Sequence, residues 1–290
     1  MKLIRLTGIL ALLALAACDA GIEPIDQRIR TLDEWNTAEW AAYAAVLRAY
    51  KTSDHYLTCA YFDNAPERLE SEKNCIRSLP DSLDFVILRN PASRFDREDV
   101  PELQKRYTKV LATADCSDPT TATTLLKKTL SVVSTAGMDG VVIRFSGAVT
   151  DASKAIEAEV ARRLGALSGK TLVFEGNASF IAAENRGLYD FYLLDATSFS
   201  DIFGVEGQVD YLTGYYGIDP GRILPIVTLT GTIADESGVS QPAPDKLFET
   251  VQARSLGGLA IGGVSVDYYS LTGNYPRLRA AIDLLNPAHQ

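Results

Sequence analysis

Glu175, Asp195 and Arg144 are the residues whose types and positions could do chemistry together, because each closes a short apolar run of strand-like composition. Two carboxyl groups held about 5–5.5 Å apart can cleave a glycosidic bond, one as nucleophile and one as acid. Asp267 and Asp63 form a second such pair. Carboxylates at run ends also cap the helices that follow or pair with Arg89 and Arg144, and the sequence leaves both roles open. Arg144 can bridge Glu175 or Asp195, or bind an acidic ligand carboxylate in bidentate fashion. Asn177, Thr197 and Tyr268 lie at neighbouring run ends and complete the ligand-binding candidates. Aromatic rings near the same ends, among them Tyr61, Phe62, Phe145, Phe174, Tyr215, Tyr216 and Tyr269, are either stacking platforms for pyranose faces or core residues with satisfied hydroxyls.

Other chemistries have little to work with. His55 and His289 are the only histidines, which disfavours a two-histidine metal centre or a serine–histidine triad. Cys59, Cys75 and Cys116 show no C-x-x-C spacing, so no metal and no cofactor is expected. A bond between two of them is permitted, although free buried thiols fit the odd count better. The glycine-rich run Gly257–Gly263 lacks a following Lys-Ser/Thr and enters a strand, where close backbone approach explains it better than phosphate binding. A formal net charge of −9 argues against nucleic acid and says little about neutral ligands.

The elements that must position these residues alternate along the chain. Strand-like runs fall at 56–62, 83–88, 108–112, 141–145, 171–174, 191–194, 223–229 and 259–266. Helical patterns fall at 32–49, 66–78, 100–106, 120–135, 152–167, 199–215, 244–255 and 276–285. Asp118 or Thr120, Asp151 and Ser198 are cap candidates. Runs such as Phe85-Val86-Ile87-Leu88 are apolar without alternation, as in a parallel sheet buried on both faces. Eight such units with no internal linker predict an α/β fold, a single (β/α)8 barrel whose chemistry sits at the carboxyl ends of the strands.

The segment Gly137-Met138-Asp139-Gly140-Val141-Val142-Ile143-Arg144-Phe145-Ser146 resembles the strand-four segment of glycoside hydrolase family 18, which reads Asp-Gly-x-Asp-x-Asp-x-Glu. Leu79-Pro80-Asp81-Ser82-Leu83-Asp84-Phe85-Val86 and the closing Asn274-Tyr275 to Asn286-Pro287-Ala288 are similar to chitinase- and endo-β-N-acetylglucosaminidase-like lipoproteins of Bacteroidota within that family. The resemblance implies a barrel in which the last Glu of the motif protonates the glycosidic oxygen. The Asp two positions earlier would orient the substrate's N-acetyl group as nucleophile. Here Asp139 and Gly140 are kept, whereas the next three motif positions are Val142, Arg144 and Ser146. A serine hydroxyl is too weak an acid to replace the Glu, and arginine cannot replace the orienting carboxylate. The strand-six tyrosine of the family is also missing, since that stretch reads Asp195-Ala196-Thr197-Ser198.

At the amino terminus, Lys2 and Arg5 precede an apolar run too short to span a bilayer, ending in Leu15-Ala16-Ala17-Cys18. The tetrad resembles the bacterial lipobox, which implies cleavage before Cys18 and its lipidation. The expected organisation is therefore a signal peptide at 1–17, a lipidated tether at 18–31 and the barrel at 32–290. The leading expectation is a non-catalytic glycan-binding lipoprotein of the cell envelope, at the outer membrane. It would recognise N-acetylglucosamine-containing oligosaccharides and work beside outer-membrane glycan-uptake partners, with the membrane reached through the lipid alone. A hydrolase with relocated carboxylates and a scaffold lipoprotein without a groove are the alternatives.

Overall fold

Strands form where the apolar runs are buried on both faces, and the computed structural model, which describes residues 37–69, 71–271 and 273–287, has eight of them in a closed parallel barrel. They are β1 (Leu57–Phe62), β2 (Phe85–Leu88), β3 (Lys109–Asp115), β4 (Gly140–Phe145), β5 (Thr171–Gly176), β6 (Phe191–Asp195), β7 (Ile223–Thr228) and β10 (Gly258–Gly262). Each pairs with its sequence neighbour in the barrel, and β10 closes the ring against β1, with Leu57 opposite Gly258. β8 (Thr232–Ala234) and β9 (Ser240–Pro242) make a separate antiparallel hairpin after β7. The expectations for the signal peptide, Cys18, the tether, Trp35 and His289 lie outside the described residues.

The chain divides into two compact units, residues 1–43 and 44–290. α1 (Thr37–Thr52) crosses that division. In the first unit, the rings of Trp40 and Tyr43 lie 6.0 Å apart. In the second, the helices are α2 (Arg94–Lys105), α3 (Ala122–Thr135), α4 (Asp151–Leu164), α5 (Ile202–Asp210), α6 (Ala243–Ala253) and α7 (Pro276–Leu285). The helices expected after the first strand and over all of 199–215 are corrected. Residues 72–78 make two short 3-10 turns, and α5 ends at Asp210 in a π-helical turn, Tyr211–Tyr215. Pro66 and Pro80 bracket the first segment without leaving an apolar stripe of helical length. Among the caps, Asp201 and Thr150 serve α5 and α4 rather than Ser198 and Asp151. No described helix is long and apolar enough to cross a membrane.

Alternation along the strands separates two cores. Inward residues, including Cys59, Phe85, Ile87, Leu111, Val142, Val173, Leu193, Leu224, Ile226 and Ala260, fill the barrel interior. The outward residues, Val86, Val141, Ile143, Phe174 and Val227 among them, pack under the helices in one larger cluster. Cys59, Cys75 and Cys116 are free and buried.

A repeated device sets the strand register at the amino end. Asp84, Asp139 and Asp190 each stand one residue before an even-numbered strand and accept the backbone N–H of the strand before it. The acceptors meet Thr58 N at 2.8 Å, Val110 N at 2.9 Å and Leu172 N at 2.8 Å. At the equivalent place before β10 the chain has Gly257, and Gly258 opens the strand. A side chain on Gly257 would strike the Gly221 carbonyl, and one on Gly258, whose φ is +148°, would strike the Leu57 carbonyl. The glycine-rich run is thus a site of close backbone approach, as the sequence indicates.

Asp84 also gathers two basic side chains on this face. Its Oδ1 lies 3.0 Å from His55 Nε2 and 3.6 Å from Lys51 Nζ, while His55 Nδ1 faces the Ser53 carbonyl at 2.9 Å. Both imidazole nitrogens therefore meet acceptors, and the Asp84 hydrogen bond raises the His55 pKa above 6.5 against the opposing effect of burial. A raised base stabilises the fold fully below its unfolded pKa, and the contribution is lost as pH rises through the folded pKa. Lys51 has the opposite sign: burial outweighs Asp84 and lowers its pKa to about 8, so stability recovers as pH rises from there towards 10.5. Urea midpoints of the wild type and His55→Gln should differ most at about pH 5.5 and converge above the folded pKa. A constant difference across that range would show that His55 contributes only neutral packing.

Candidate functional site

The carboxyl end of the barrel brings Arg144 and Glu175 side by side, because β4 and β5 pair with Arg144 opposite Glu175 and β3 places Asp115 opposite Arg144. All three follow inward residues by an even step, so they extend the barrel interior towards the mouth. Arg144 Nε donates to Glu175 Oε1 at 2.9 Å and Nη2 reaches Oε2 at 3.4 Å. Nη1 lies 4.0 Å from Asp115 Oδ2.

Tyr61 enters from β1, which lies four strands away from β5 in either direction round the ring. Its hydroxyl accepts from Arg144 Nη2 and donates to the Glu175 carboxylate, at 2.8 Å from Oε1 and 2.9 Å from Oε2. A brace of tyrosine, arginine and glutamate therefore spans the mouth between opposite walls. Tyr61 and Glu175 are only 6% and 8% exposed, so the brace closes the interior rather than lining an open cleft. Burial first, then the neighbouring carboxylate, push the Tyr61 pKa far above its usual range, and the phenol stays a donor. For Arg144, burial opposes the charge, but attraction to Glu175 and Tyr61 outweighs it and raises the pKa. Arg89, paired with Asp63 at 2.9 Å, lies over the Tyr61 ring at 5.0 Å from its centroid.

The remaining motif positions fall into different environments. Asp139 is at the amino end of β4, where it also accepts from Gln104 of α2 at 3.1–3.2 Å, far along the strand from the mouth. Val142 is fully buried in the interior core. Ser146 is exposed just beyond β4, its Oγ 3.1 Å from Ser117 Oγ. Asn177, also exposed, holds a 3-10 turn by accepting from Ser179 N, and donates to the Gly147 carbonyl at 3.3 Å. Asp195 accepts from Thr197 N at 3.0 Å and from Thr197 Oγ1 at 2.5 Å, which fixes the turn after β6. The hydrogen bonds of Asp195 thus run to Thr197, and those of Glu175 to Tyr61 and Arg144. Asp267 is buried and caps α7 through Arg277 N at 2.8 Å and Leu278 N at 2.9 Å. Tyr268 is half-buried, its ring at right angles to that of exposed Tyr269. Phe145 and Phe174 turn outward into the helical layer, stacked with Phe180.

Tyr61 as the centre of the brace is the residue that sequence reasoning missed in role. Its signal was position alone, two residues beyond Cys59 on the inward face of β1. A cavity of about 870 Å³ opens at the opposite, amino-terminal face, lined by Tyr50, His55, Tyr56, Gln252, Ser255 and Asn286. Much of its polar lining serves internal bonds, as when Asn286 binds Tyr56 N at 2.9 Å and its carbonyl at 2.8 Å. Ligand chemistry in such barrels sits at the carboxyl face, so the size of this cavity does not make it the site.

Removing one partner of a largely desolvated ion pair leaves the other charge stranded. Arg144→Ala should therefore lower the unfolding free energy by about 2–4 kcal/mol, the partial exposure of Arg144 trimming the full buried-pair cost. The double variant Arg144→Met/Glu175→Leu should regain most of that loss. Urea denaturation of the three chains checks this, and an R144A midpoint equal to wild type would refute a structural brace.

Residues 21–109 match the family model described as glycoside hydrolase family 18, BT1044-like. Among solved structures, BT1044 is similar over 89% of this chain and 96% of its own, at 18% identity and a TM-score of 0.69. An endo-beta-N-acetylglucosaminidase from Cordyceps militaris aligns over 87% and 97% respectively, at 17% identity and a TM-score of 0.62. YKL-39, solved in the presence of chitooligosaccharides, aligns over 80% and 100%, at 10% identity and a TM-score of 0.60. No curated protein matches the chain. The identities carry the fold, and the family match covers the amino-terminal third. Over that amino-terminal third the chain is similar to the BT1044-like group of glycoside hydrolase family 18, and in the segment that resembles the family's strand-four motif it has valine, arginine and serine where the motif has its last three acids.

Proposed function

We propose that this protein is a glycan-binding barrel that does not hydrolyse its ligand, with N-acetylglucosamine-containing oligosaccharides as the ligand class. The observation that carries the reading is the Tyr61–Arg144–Glu175 brace. The glutamate that could have served as a relocated acid has both oxygens engaged by a cation and a phenol. With both oxygens so occupied, Glu175 presents neither of them to a glycosidic oxygen at the mouth. Ser146 offers an exposed hydroxyl at the end of β4, with no acidity suited to the task.

The ligand class rests on the family match and on a similar fold that has been solved with chitooligosaccharides. The exposed polar rim around the brace, Asp115, Ser146, Asn177, Asp195 and Thr197, offers hydrogen-bonding groups of the kind that recognise sugar hydroxyls and amides. Anchoring at the bacterial envelope through lipidated Cys18, at the outer membrane beside glycan-uptake partners, belongs to the same proposal and rests on the lipobox-like tetrad.

A glycan array probed with the chain from Asp19 onward, followed by mass spectrometry of every ligand retained, should give binding with intact ligands. Shortened products that disappear in Glu175→Gln would replace the proposal with hydrolysis through a relocated carboxylate. No retention of any glycan would sink both in favour of a scaffold. Incubation in a lipoprotein-processing host should add acyl mass to Cys18, and Cys18→Ser should release the protein from membranes.

A further inference from the structure

The cation at the mouth has one nitrogen that the brace does not use. Arg144 spends Nε on Glu175 and Nη2 on Tyr61 and Glu175. Nη1 faces Asp115 Oδ2 across 4.0 Å, too far for a hydrogen bond. Asp115 uses its other oxygen, Oδ1, to accept from Ser117 N at 2.9 Å. Neither Nη1 nor Oδ2 has a hydrogen-bond partner among the described residues, and both belong to side chains that reach solvent, 22% and 48% exposed.

The register and these bonds keep the gap open. β3 and β4 pair with Asp115 opposite Arg144, while Glu175 and Tyr61 hold the guanidinium towards β5 and the far wall. Ser117 N ties Asp115 to its own strand end. A donor and an acceptor are thus fixed side by side at the rim.

Such a pair selects a ligand that offers both roles in return. A carboxylate or phosphate would be repelled by Asp115, and an ammonium group by Arg144. A trans amide sends its N–H and its carbonyl in opposite directions, so one N-acetyl group cannot serve both atoms. A lone hydroxyl can touch both, but bonds of about 2.8 Å to atoms 4.0 Å apart close its oxygen to roughly 90°. Hydroxyls on adjacent ring carbons avoid that bend. One donates to Asp115 Oδ2 while its neighbour accepts from Arg144 Nη1, and both bonds are of the strong, charge-assisted kind.

The floor adds a direction. Tyr61 and Glu175 are buried, so the brace shuts the barrel beneath the pair and a chain meets it by an end. In N-acetylglucosamine chains linked through O4, each residue carries its amide at C2, and every residue but the last has O4 occupied. Only the non-reducing terminal residue has adjacent free hydroxyls, O3 and O4. We propose that Asp115 and Arg144 Nη1 read the vicinal hydroxyl pair of a non-reducing terminal sugar, an inference that rests on the glycan-binding reading of the mouth.

The probe is the methyl β-glycoside of the O4-linked N-acetylglucosamine trimer, in which periodate cuts only the terminal C3–C4 bond. Calorimetry on the chain from Asp19 onward should show binding of the intact probe and a loss of about tenfold after periodate, the scale of a hydrogen bond to a charged group. Asp115→Ala should weaken the intact probe by a similar factor and be indifferent to periodate. Asp115→Asn, which keeps an acceptor of the same shape, should restore part of the affinity, and both variants should keep the wild-type thermal midpoint. Wild-type binding unchanged by periodate would overturn the inference. So would an Asp115→Ala chain that binds as wild type does or still loses tenfold on oxidation, and each of these results leaves the mouth a glycan site. A wild type that ignores the intact trimer overturns it too, and the glycan array then decides separately whether the mouth binds any glycan.

Discussion

Parallel strands have no hairpins to fix their register, so a barrel of eight must find that register elsewhere, and here a carboxylate fixes it on alternate strands. Asp84, Asp139 and Asp190 each turn back to the N–H of the preceding strand, where the backbone would otherwise present an unpaired donor at the barrel rim. The same residues bond through their main chains, as when Asp84 N meets the Thr58 carbonyl at 2.9 Å and Lys109 N meets the Asp84 carbonyl at 2.9 Å. Where the series would place a fourth acid, Gly257 and Gly258 allow the backbones of β7, β10 and β1 to meet directly. The seam that closes the barrel is thus made by the absence of a side chain, and the other three rim positions by the presence of one.

Register set at the amino end decides what meets at the carboxyl end. A slip of one residue in β4 would turn Arg144 to the helical layer and bring Ile143 or Phe145 to the mouth. With the register as observed, Asp115, Arg144 and Glu175 stand on three adjacent strands, and Tyr61 reaches them from the far wall. Asp139 illustrates the link, because it lies in the segment that resembles the family-18 motif and serves the register device in the structure. The strand pairing uses its carboxylate whatever the chemistry at the mouth.

The eight strands were legible because burial on both faces leaves uninterrupted apolar runs, and all eight lie where those runs predict them, within a few residues. Helices were less legible where a proline or a change of helical pitch intervened. The residues 66–78 satisfy a helical pattern locally, yet the turn chemistry around Ser71 and Cys75 prevails. At Tyr211–Tyr215 periodicity continues through a π turn that a repeat of 3.6 cannot distinguish. The Arg144–Glu175 contact followed from adjacent strand ends, whereas Tyr61 could not be foreseen. A bond across the barrel joins residues 114 positions apart on strands that share no backbone pairing. Asp267 and Asp195 show the converse limit: carboxylates at strand ends look alike in sequence, and only their nearest N–H groups separate a cap from a ligand-facing acid.

The brace also explains why the altered motif positions hang together. A hydrolytic acid must hold its proton near neutral pH, which needs an apolar pocket or a second negative charge beside it. Arg144 supplies the reverse, a fixed cation at the end of β4 bonded to Glu175 and Tyr61. An acid introduced at Ser146 would lie two residues from that cation, just beyond the same strand. Removing Arg144 alone would strand Glu175 against Tyr61 in a largely buried mouth. The rim of Asp115, Ser146, Asn177 and Thr197 stays exposed beside that buried brace, so the mouth joins a closed floor to a polar edge.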